Sequence, residues 1–378
     1  ILNQCIHNGF GLHTFKEELT GPEYAGRYIA EVEKRGINYK LNATVLDVSA
    51  QKTVTYVSEA DGLVTLQAKA VILACGCRER PRGAINIAGM RGAGVFSAGT
   101  AQKLVNVMGY MPGKEVVILG SGDIGLIMAR RMTFEGAKVK AVVELMPYSS
   151  GLNRNIVQCL NDFNIPLYFS HTVTQIKGKD RVSSVVVCQV DEKLLPIPET
   201  AMEIECDTLL LSVGLLPENE LAKNASVGLS PTTGGAVVDE NRMTDVDGIF
   251  ECGNVLHVHD LVDFVSAESE NAGKRAVDYI RGATPCQNKI AIKCTGGVRY
   301  SVPTVLNKDD VYAEQSFKMR VSGVFKKVEL CVLADGQKVY GKKRPVVTPG
   351  EMDNITLSAE QMKTLKNATD VEITLIGG

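Results

Sequence analysis

The stretch Val116-Val-Ile-Leu-Gly-Ser-Gly-Asp-Ile-Gly125 limits what this 378-residue chain can fold into more than any other. Four apolar residues in a row read as a strand buried on both faces of a parallel sheet. Gly120, Gly122 and Gly125 then fit G-x-G-x-x-G. The first glycine permits a tight turn, the second lets backbone approach a pyrophosphate, and the third lets helix and strand pack closely. Ser121, Asp123 and Ile124 fill the positions between and complete the cradle. The pattern predicts a helix over Ile124–Glu135, whose amino end would hold phosphates. A second strand, Ala137–Val143, ends at Glu144. An acidic residue about 20 positions beyond the glycines is where a ribose 2′-hydroxyl is bound. No Arg or Lys follows until Arg154, which favours NAD over NADP. The plain alternative is a glycine-rich turn in another α/β unit. The agreement of strand, glycines, helix and acid favours the nucleotide.

A chain of this length can build two or three domains with full cores. Apolar content of 45% and a net charge of −2 are those of an ordinary soluble protein. They give no basic excess for nucleic acid or an anionic membrane surface. No apolar run reaches the roughly 18–20 residues of a spanning helix. The ten cysteines form no C-x-x-C or C-x-x-x-x-C pair, and several sit in apolar runs. That usage fits buried thiols in a reducing, cytoplasmic setting, not a disulfide framework. Cys75-Gly-Cys77 reads as a turn. The chain opens on Ile1 without a basic or long apolar leader, and is expected to be a fragment or a processed product.

A helix is expected over Pro22–Arg35 and a short strand at Tyr39–Leu41. An alternating meander follows, and a buried strand, Lys69–Leu73, runs into Ala74-Cys-Gly76. The plan then repeats. A strand–helix–strand unit and a second meander lead to the apolar strand Cys206–Val213, which ends at Gly214. Two similar nucleotide-binding halves follow from this repetition. Asp247-Gly-Ile-Phe-Glu-Cys-Gly-Asn254 and a helix over Phe264–Ile280 look like a return to the first half. Residues 286–378 change character to short strands parted by Gly and Pro turns, expected at Ile290–Lys293, Ser316–Val321, Lys327–Leu333, Lys338–Tyr340, Pro345–Val347 and Val371–Ile376, with one helix over Ala359–Lys366. They are expected to form a small β-sandwich that serves as a docking or interface domain.

These residues resemble the two-dinucleotide-binding flavoproteins of the pyridine nucleotide–disulfide oxidoreductase fold. Val116–Gly125 with Glu144 is similar to the NAD domain. Ala74-Cys75-Gly76 is similar to the turn beside the FAD pyrophosphate. Gly253-Asn254 before a helix is similar to the Gly-Asp motif at the ribityl chain, with an amide in place of the acid. The resemblance covers residues 1–282. It implies an FAD-binding domain in residues 1–112 and 236–283, an inserted NAD-binding domain in 113–235, and a C-terminal β domain in 284–378. It also implies that Leu2, Val45, Ala74, Cys75, Gly76, Gly253 and Asn254 line FAD, and that Gly214 lies on the nucleotide side. The segments 1–13, 76–83 and 255–263 are further similar to flavoprotein subunits encoded beside anaerobic glycerol-3-phosphate dehydrogenases, which are relatives of the sarcosine oxidase α-subunits. Expected partners are therefore a second flavoprotein dehydrogenase or oxidase subunit and an iron–sulfur protein, within an oligomer. The family's first strand–G-x-G-x-x-G–helix–strand unit, about 35–40 residues, would precede Ile1. Without it residues 1–378 alone would not complete the FAD site.

The resemblance also places a redox C-x-x-x-x-C pair at Leu2 and His7, with Cys5 off register. No exchangeable dithiol is expected there. Cys5 and His7 would lie near the flavin. Cys5 either modulates it or merely packs against it, and packing is favoured because no charged activator is evident. His257-Val-His-Asp260 invites a metal reading. Its place just after Gly253-Asn254 favours His257 and His259 as flavin-site or partner-facing groups, with no metal. Arg78, Arg80 and Arg82 either reach cofactor phosphates or a neighbouring subunit's acidic face, or form a solvated, internally paired loop. The expected architecture is thus α/β, two Rossmann-like domains with an all-β tail. The expected activity is electron transfer between NAD(H) and bound FAD, coupled to a partner that oxidises a substrate such as glycerol 3-phosphate. A stand-alone NADH-dependent flavin reductase and a non-catalytic nucleotide-binding subunit are the alternatives.

Overall fold

The computed structural model describes residues 1–309 and 313–377. Contacts divide them into two compact units, Ile1–Val32 with Arg78–Leu216, and Glu33–Cys77 with Pro217–Gly378.

The first unit is built on a five-stranded sheet in the order Leu167–Tyr168, Lys138–Val143, Glu115–Leu119, Thr208–Leu211, Val95–Ser97. Every neighbouring pair is parallel. The apolar run at 116–119 forms the central strand because each of its side chains has a layer to enter. Val116 and Ile118 pack with Ala101, Leu126, Ala129 and Met132 from the helices Ala98–Asn106 and Asp123–Phe134. Val117 and Leu119 turn the other way, onto Val173, Val185 and Val187. Those residues belong to a second sheet in which His171–Gly178 and Val182–Gln189 pair antiparallel. A strand apolar on both faces is thus covered on both faces, which is what a parallel sheet requires.

The second unit holds a three-stranded antiparallel meander, Ala43–Val48, Thr53–Ser58 and Gly62–Gln67. It also holds a parallel pair, Val71–Leu73 with Ile249–Glu251, and the helix Val262–Ile280. Its C-terminal part is β-rich. A five-stranded sheet containing Phe325–Ala334 and Val371–Ile376 shares one apolar core with a three-stranded sheet centred on Gln315–Val321. The helix Ala359–Lys366 closes this core and begins in a capping box between Ser358 and Gln361.

The differences from the sequence expectation are local. Tyr39–Leu41 is not a strand; both terminal side chains are exposed and, among the described residues, no strand pairs with it. The predicted strands Lys338–Tyr340 and Pro345–Val347 are one strand, Gln337–Val347. It is the last strand of its sheet, and an edge position tolerates a proline. Val298–Val302, Val305–Asn307 and Asp353–Leu357 are further strands that the sequence pattern does not predict.

Candidate functional site

In the first unit the glycine fingerprint forms a strand–turn–helix. Gly120 has φ +94°, and a side chain there would meet the Ser212 carbonyl at 2.1 Å. Gly122 is the N-cap of the helix Asp123–Phe134. At Gly125 a Cβ would lie 2.6 Å from Ser212 Cβ, and its N–H donates to Ser212 Oγ at 3.2 Å. The glycine therefore sets the distance between helix and sheet. Glu144 sits at the end of the next strand, as the fingerprint asks, and is 5% exposed. Its Oε2 accepts from Ser121 N at 2.8 Å and its Oε1 from Met146 N at 2.9 Å. Asp123 Oδ1 accepts from Leu152 N and from Asn155 Nδ2. The two acids thus hold the turn together. A helix amino end with glycines at this spacing fits a pyrophosphate.

In the second unit the parallel strands Val71–Leu73 and Ile249–Glu251 end side by side, in register at Leu73 and Glu251. Ala74-Cys75-Gly76 leaves one and Gly253-Asn254 leaves the other. Ligands of open α/β sheets bind outside the carboxyl ends of the strands. Ala74 and Cys75 are exposed there, and among the described residues no atom beyond its chain neighbours lies within 4 Å of where a Cβ would stand at Gly76. Asn254 Oδ1 accepts from His259 N at 3.0 Å, so this amide also fixes the loop that follows it. Glu251, at the strand end, is fully buried. Its Oε2 accepts from Ala236 N, and burial raises its pKa to about 8.

Behind this turn lies a buried charge cluster. Glu268, in the second turn of the helix Val262–Ile280, accepts from Gly253 N at 2.9 Å. His257 Nε2 and His259 Nε2 donate to its two oxygens, each at 3.1 Å. Arg242 stands 3.3 Å and Lys318 3.7 Å from the same carboxylate. Burial alone would push the Glu268 carboxyl up. The histidine bonds and the Arg242 charge outweigh it and hold the carboxyl well below its ordinary value. Burial lowers His257 to about 4 and lowers His259 as well. Both imidazoles are neutral at pH 7. His257, His259 and Glu268 bring three ligand atoms within 4.8 Å, as a metal site would. Two cations already face the single carboxylate, so the cluster suits neutral imidazoles and not a divalent ion.

The pyridine nucleotide-disulphide oxidoreductase family matches residues 3–276. This chain belongs to that family. A CoA-dependent NAD(P)H sulfur oxidoreductase of Pyrococcus abyssi is 28% identical over 268 residues, which is 68% of this chain and 55% of that protein. The thioredoxin reductase of Listeria innocua is 26% identical over 274 residues, 70% of this chain and 78% of that one. The chain thus spans about half the length of the sulfur oxidoreductase. Among solved structures, Lactococcus lactis thioredoxin reductase superposes with a TM-score of 0.60 at 17% identity, over 75% of this chain and 88% of its own. That likeness shows the fold. Members of the family use FAD and NAD(P)H. The glycine turn of the first unit fits the nucleotide, and the paired strand ends of the second fit part of a flavin cradle.

The remaining residues singled out in sequence fall in both units of this family member. Leu2, Cys5, His7 and Gly214 are in the first, with the fingerprint; Val45, His257 and His259 are in the second, with the Gly253 turn. Cys5 Sγ lies 3.7 Å from Gln102 Oε1 and from the Ile1 carbonyl. Burial raises its thiol above the ordinary value. All ten cysteines are free. His7 Nδ1 bonds the Asn8 carbonyl. Val45 lies in the meander and is 41% exposed. Arg82 is bound within its own loop, donating to the carbonyls of Ile87, Gly89 and Met90. That favours the paired-loop reading for Arg82 over phosphate contact. The sequence reading missed Glu268, Arg242 and Lys318. The one available signal was Glu268 in a helix that starts just after a candidate cofactor turn.

Proposed function

We propose that this protein is an FAD-dependent oxidoreductase that moves electrons between NAD(H) and bound FAD, as a subunit coupled to a partner dehydrogenase. The carrying observation is the glycine turn at 120–125 with Glu144 beyond it, in a chain that also has the Ala74–Gly76 and Gly253–Asn254 turns at adjacent strand ends. In this reading Gly120, Ser121, Gly122, Asp123, Ile124 and Gly125 hold the pyrophosphate of NAD, and Glu144 faces its ribose. Ala74, Cys75, Gly76, Gly253 and Asn254 line the flavin. The hydride chemistry belongs to the two cofactors, and the protein supplies position and electrostatics. Glycerol 3-phosphate as the partner's substrate rests on the likeness of residues 1–13, 76–83 and 255–263 alone.

A second reading follows from the relatives' names: reduction of a sulfur compound or of thioredoxin. It requires an exchangeable dithiol or a reactive thiolate. Cys5 is the candidate, and burial, which raises its thiol above the ordinary value, speaks against it.

An absorption spectrum of the purified protein with added FAD, before and after anaerobic NADH, tests the proposal. Flavin bands that bleach with NADH are expected, without any thiol acceptor. No flavin uptake, or flavin that NADH leaves oxidised, would overturn it in favour of a non-catalytic nucleotide-binding subunit. NADH bleaching kept in the Cys5→Ser variant, with reduction of a disulfide or polysulfide acceptor lost, would favour the sulfur chemistry, because there the thiol takes its electrons from the reduced flavin.

A further inference from the structure

The C-terminal β domain looks, by sequence, like an appendage. Its strand Gln315–Val321 alternates apolar and polar residues. Phe317, Met319 and Val321 enter the domain's core. Lys318 and Arg320 therefore point to the opposite face. On a free sheet that face would be solvated, and two cations there would mean nothing. Here neither side chain is free: Lys318 is 13% exposed and Arg320 16%.

Both reach the segment that follows Gly253-Asn254. Lys318 Nζ donates to the Phe264 carbonyl at 3.3 Å, lies 5.7 Å from that ring's centre, and stands 3.7 Å from Glu268 Oε2. Arg320 pairs with Asp260 and donates to the Val258 carbonyl at 3.2 Å. It also donates to the carbonyls of Pro349 and Gly350 in its own domain. Two more ties come from the same domain. Met352 N donates to Asp260 Oδ2 at 2.7 Å, and the Tyr300 ring meets His257 edge-on at 6.2 Å. Four separate groups thus converge on residues 257–268. Charge-assisted bonds in a water-poor setting are the strong ones.

We infer that Lys318 and Arg320 are positioning residues, through which the C-terminal β domain holds the Asn254–Asp263 segment in the shape that presents the Gly253–Asn254 turn. The domain is then a working part of the candidate cofactor site. Lys318 acts through Glu268, which in turn receives the Gly253 N–H and both imidazoles. Arg320 acts through Asp260 at the segment's far end. This rests on the flavin reading only in naming what the turn presents itself to.

Hydrogen exchange of the whole chain, followed by mass spectrometry, tests it. The variants are Lys318→Met and Arg320→Met, each with a conservative rescue, Lys318→Arg and Arg320→Lys. Amides of 253–264 should lose protection about tenfold or more in the Met variants. Those of the core strands Phe325–Ala334 and Val371–Ile376 should stay protected, and the rescues should recover most of the loss. Unchanged exchange at 253–264 would overturn the inference. So would a loss equally large in the core strands, which would make the two cations stabilisers of their own domain only. These comparisons are made without FAD. A failure of the flavin reading would show separately, as FAD protecting none of these proteins at 74–76 or 253–254.

Discussion

Glu251 shows how much one buried side chain decides. It is fully enclosed at the end of the strand Ile249–Glu251, with Ala236 N as a donor and Glu268 close enough to raise its pKa further. Its folded value of about 8 stands above its ordinary 4.5. A raised pKa contributes stability that is complete below the unfolded value and is lost as pH climbs through the folded one. Wild-type protein should therefore lose a few kcal/mol from this group between about pH 4.5 and 8. Glu251→Gln keeps the shape and removes the charge. Its melting temperature should exceed wild type at pH 8, and the gap should close near pH 4.5. A gap that is the same at both pH values would show that Glu251 is not held neutral. The sequence offered a hint here, a lone acid in the apolar run Ile249-Phe-Glu-Cys252. The pair His257 and His259 stands out in sequence by its place after the Gly-Asn turn, but that both bond Glu268 does not. Nor are its partners Arg242 and Lys318 legible there. Each reaches Glu268 from a distant stretch of chain, and local pattern carries no such information.

Helices and strands were legible where burial imposes a period. The parallel strand at 116–119 reads as an unbroken apolar run because both its faces are covered. The strand Gln315–Val321 reads by alternation because its polar face meets charged partners and not core. Reading failed where length or pairing gave no signal, as at the three-residue strand Val305–Asn307, or where an apolar pattern at Tyr39–Leu41 found no neighbour. Two elements approach closely at Gly125, where the helix Asp123–Phe134 meets Ser212. An added Cβ at 2.6 Å from Ser212 Cβ cannot be absorbed without shifting the helix start. Gly125→Ala should cost about 1–3 kcal/mol through overpacking. NADH affinity should fall about tenfold or more, since the same turn aims the backbone N–H groups. Gly273 supplies the control. It lies within the helix Val262–Ile280 with open space around it. Gly273→Ala should stabilise by roughly 0.5–1 kcal/mol and leave NADH binding unchanged. Calorimetric titration with thermal melts reads both. Equal NADH affinity in the two variants would mean that the Gly125 turn does not hold the nucleotide.

The cysteines carry the choice between the two chemistries at the scale of the whole molecule. They are spread over both units: Cys5, Cys77, Cys286 and Cys294 half-buried, Cys75 exposed, and Cys159, Cys188, Cys206, Cys252 and Cys331 buried. Burial pushes Cys159, Cys206 and Cys294 up to about 11, and raises Cys5, Cys75, Cys252 and Cys331 above the ordinary value. The thiolate is the nucleophile, so a thiol held protonated at pH 7 attacks slowly. A family whose name contains a disulfide is represented here by a chain with ten free thiols. One fold hosts several chemistries, and the thiols near the site decide among them. If no thiol carries electrons onward from the flavin, iodoacetamide at pH 7 should react slowly with this protein. Alkylated protein should still let NADH bleach its flavin, and pass electrons on to an artificial acceptor, at close to the untreated rate. A thiol that is alkylated rapidly, with bleaching kept but reduction of a disulfide or polysulfide lost in step, would identify a thiolate that takes electrons from the reduced flavin. Rapid labelling with acceptor reduction retained would instead report only an accessible thiol such as Cys75, because the redox path would have survived its loss. The rate of acceptor reduction, and not the extent of labelling, therefore decides whether this chain works through sulfur or through the two cofactors alone.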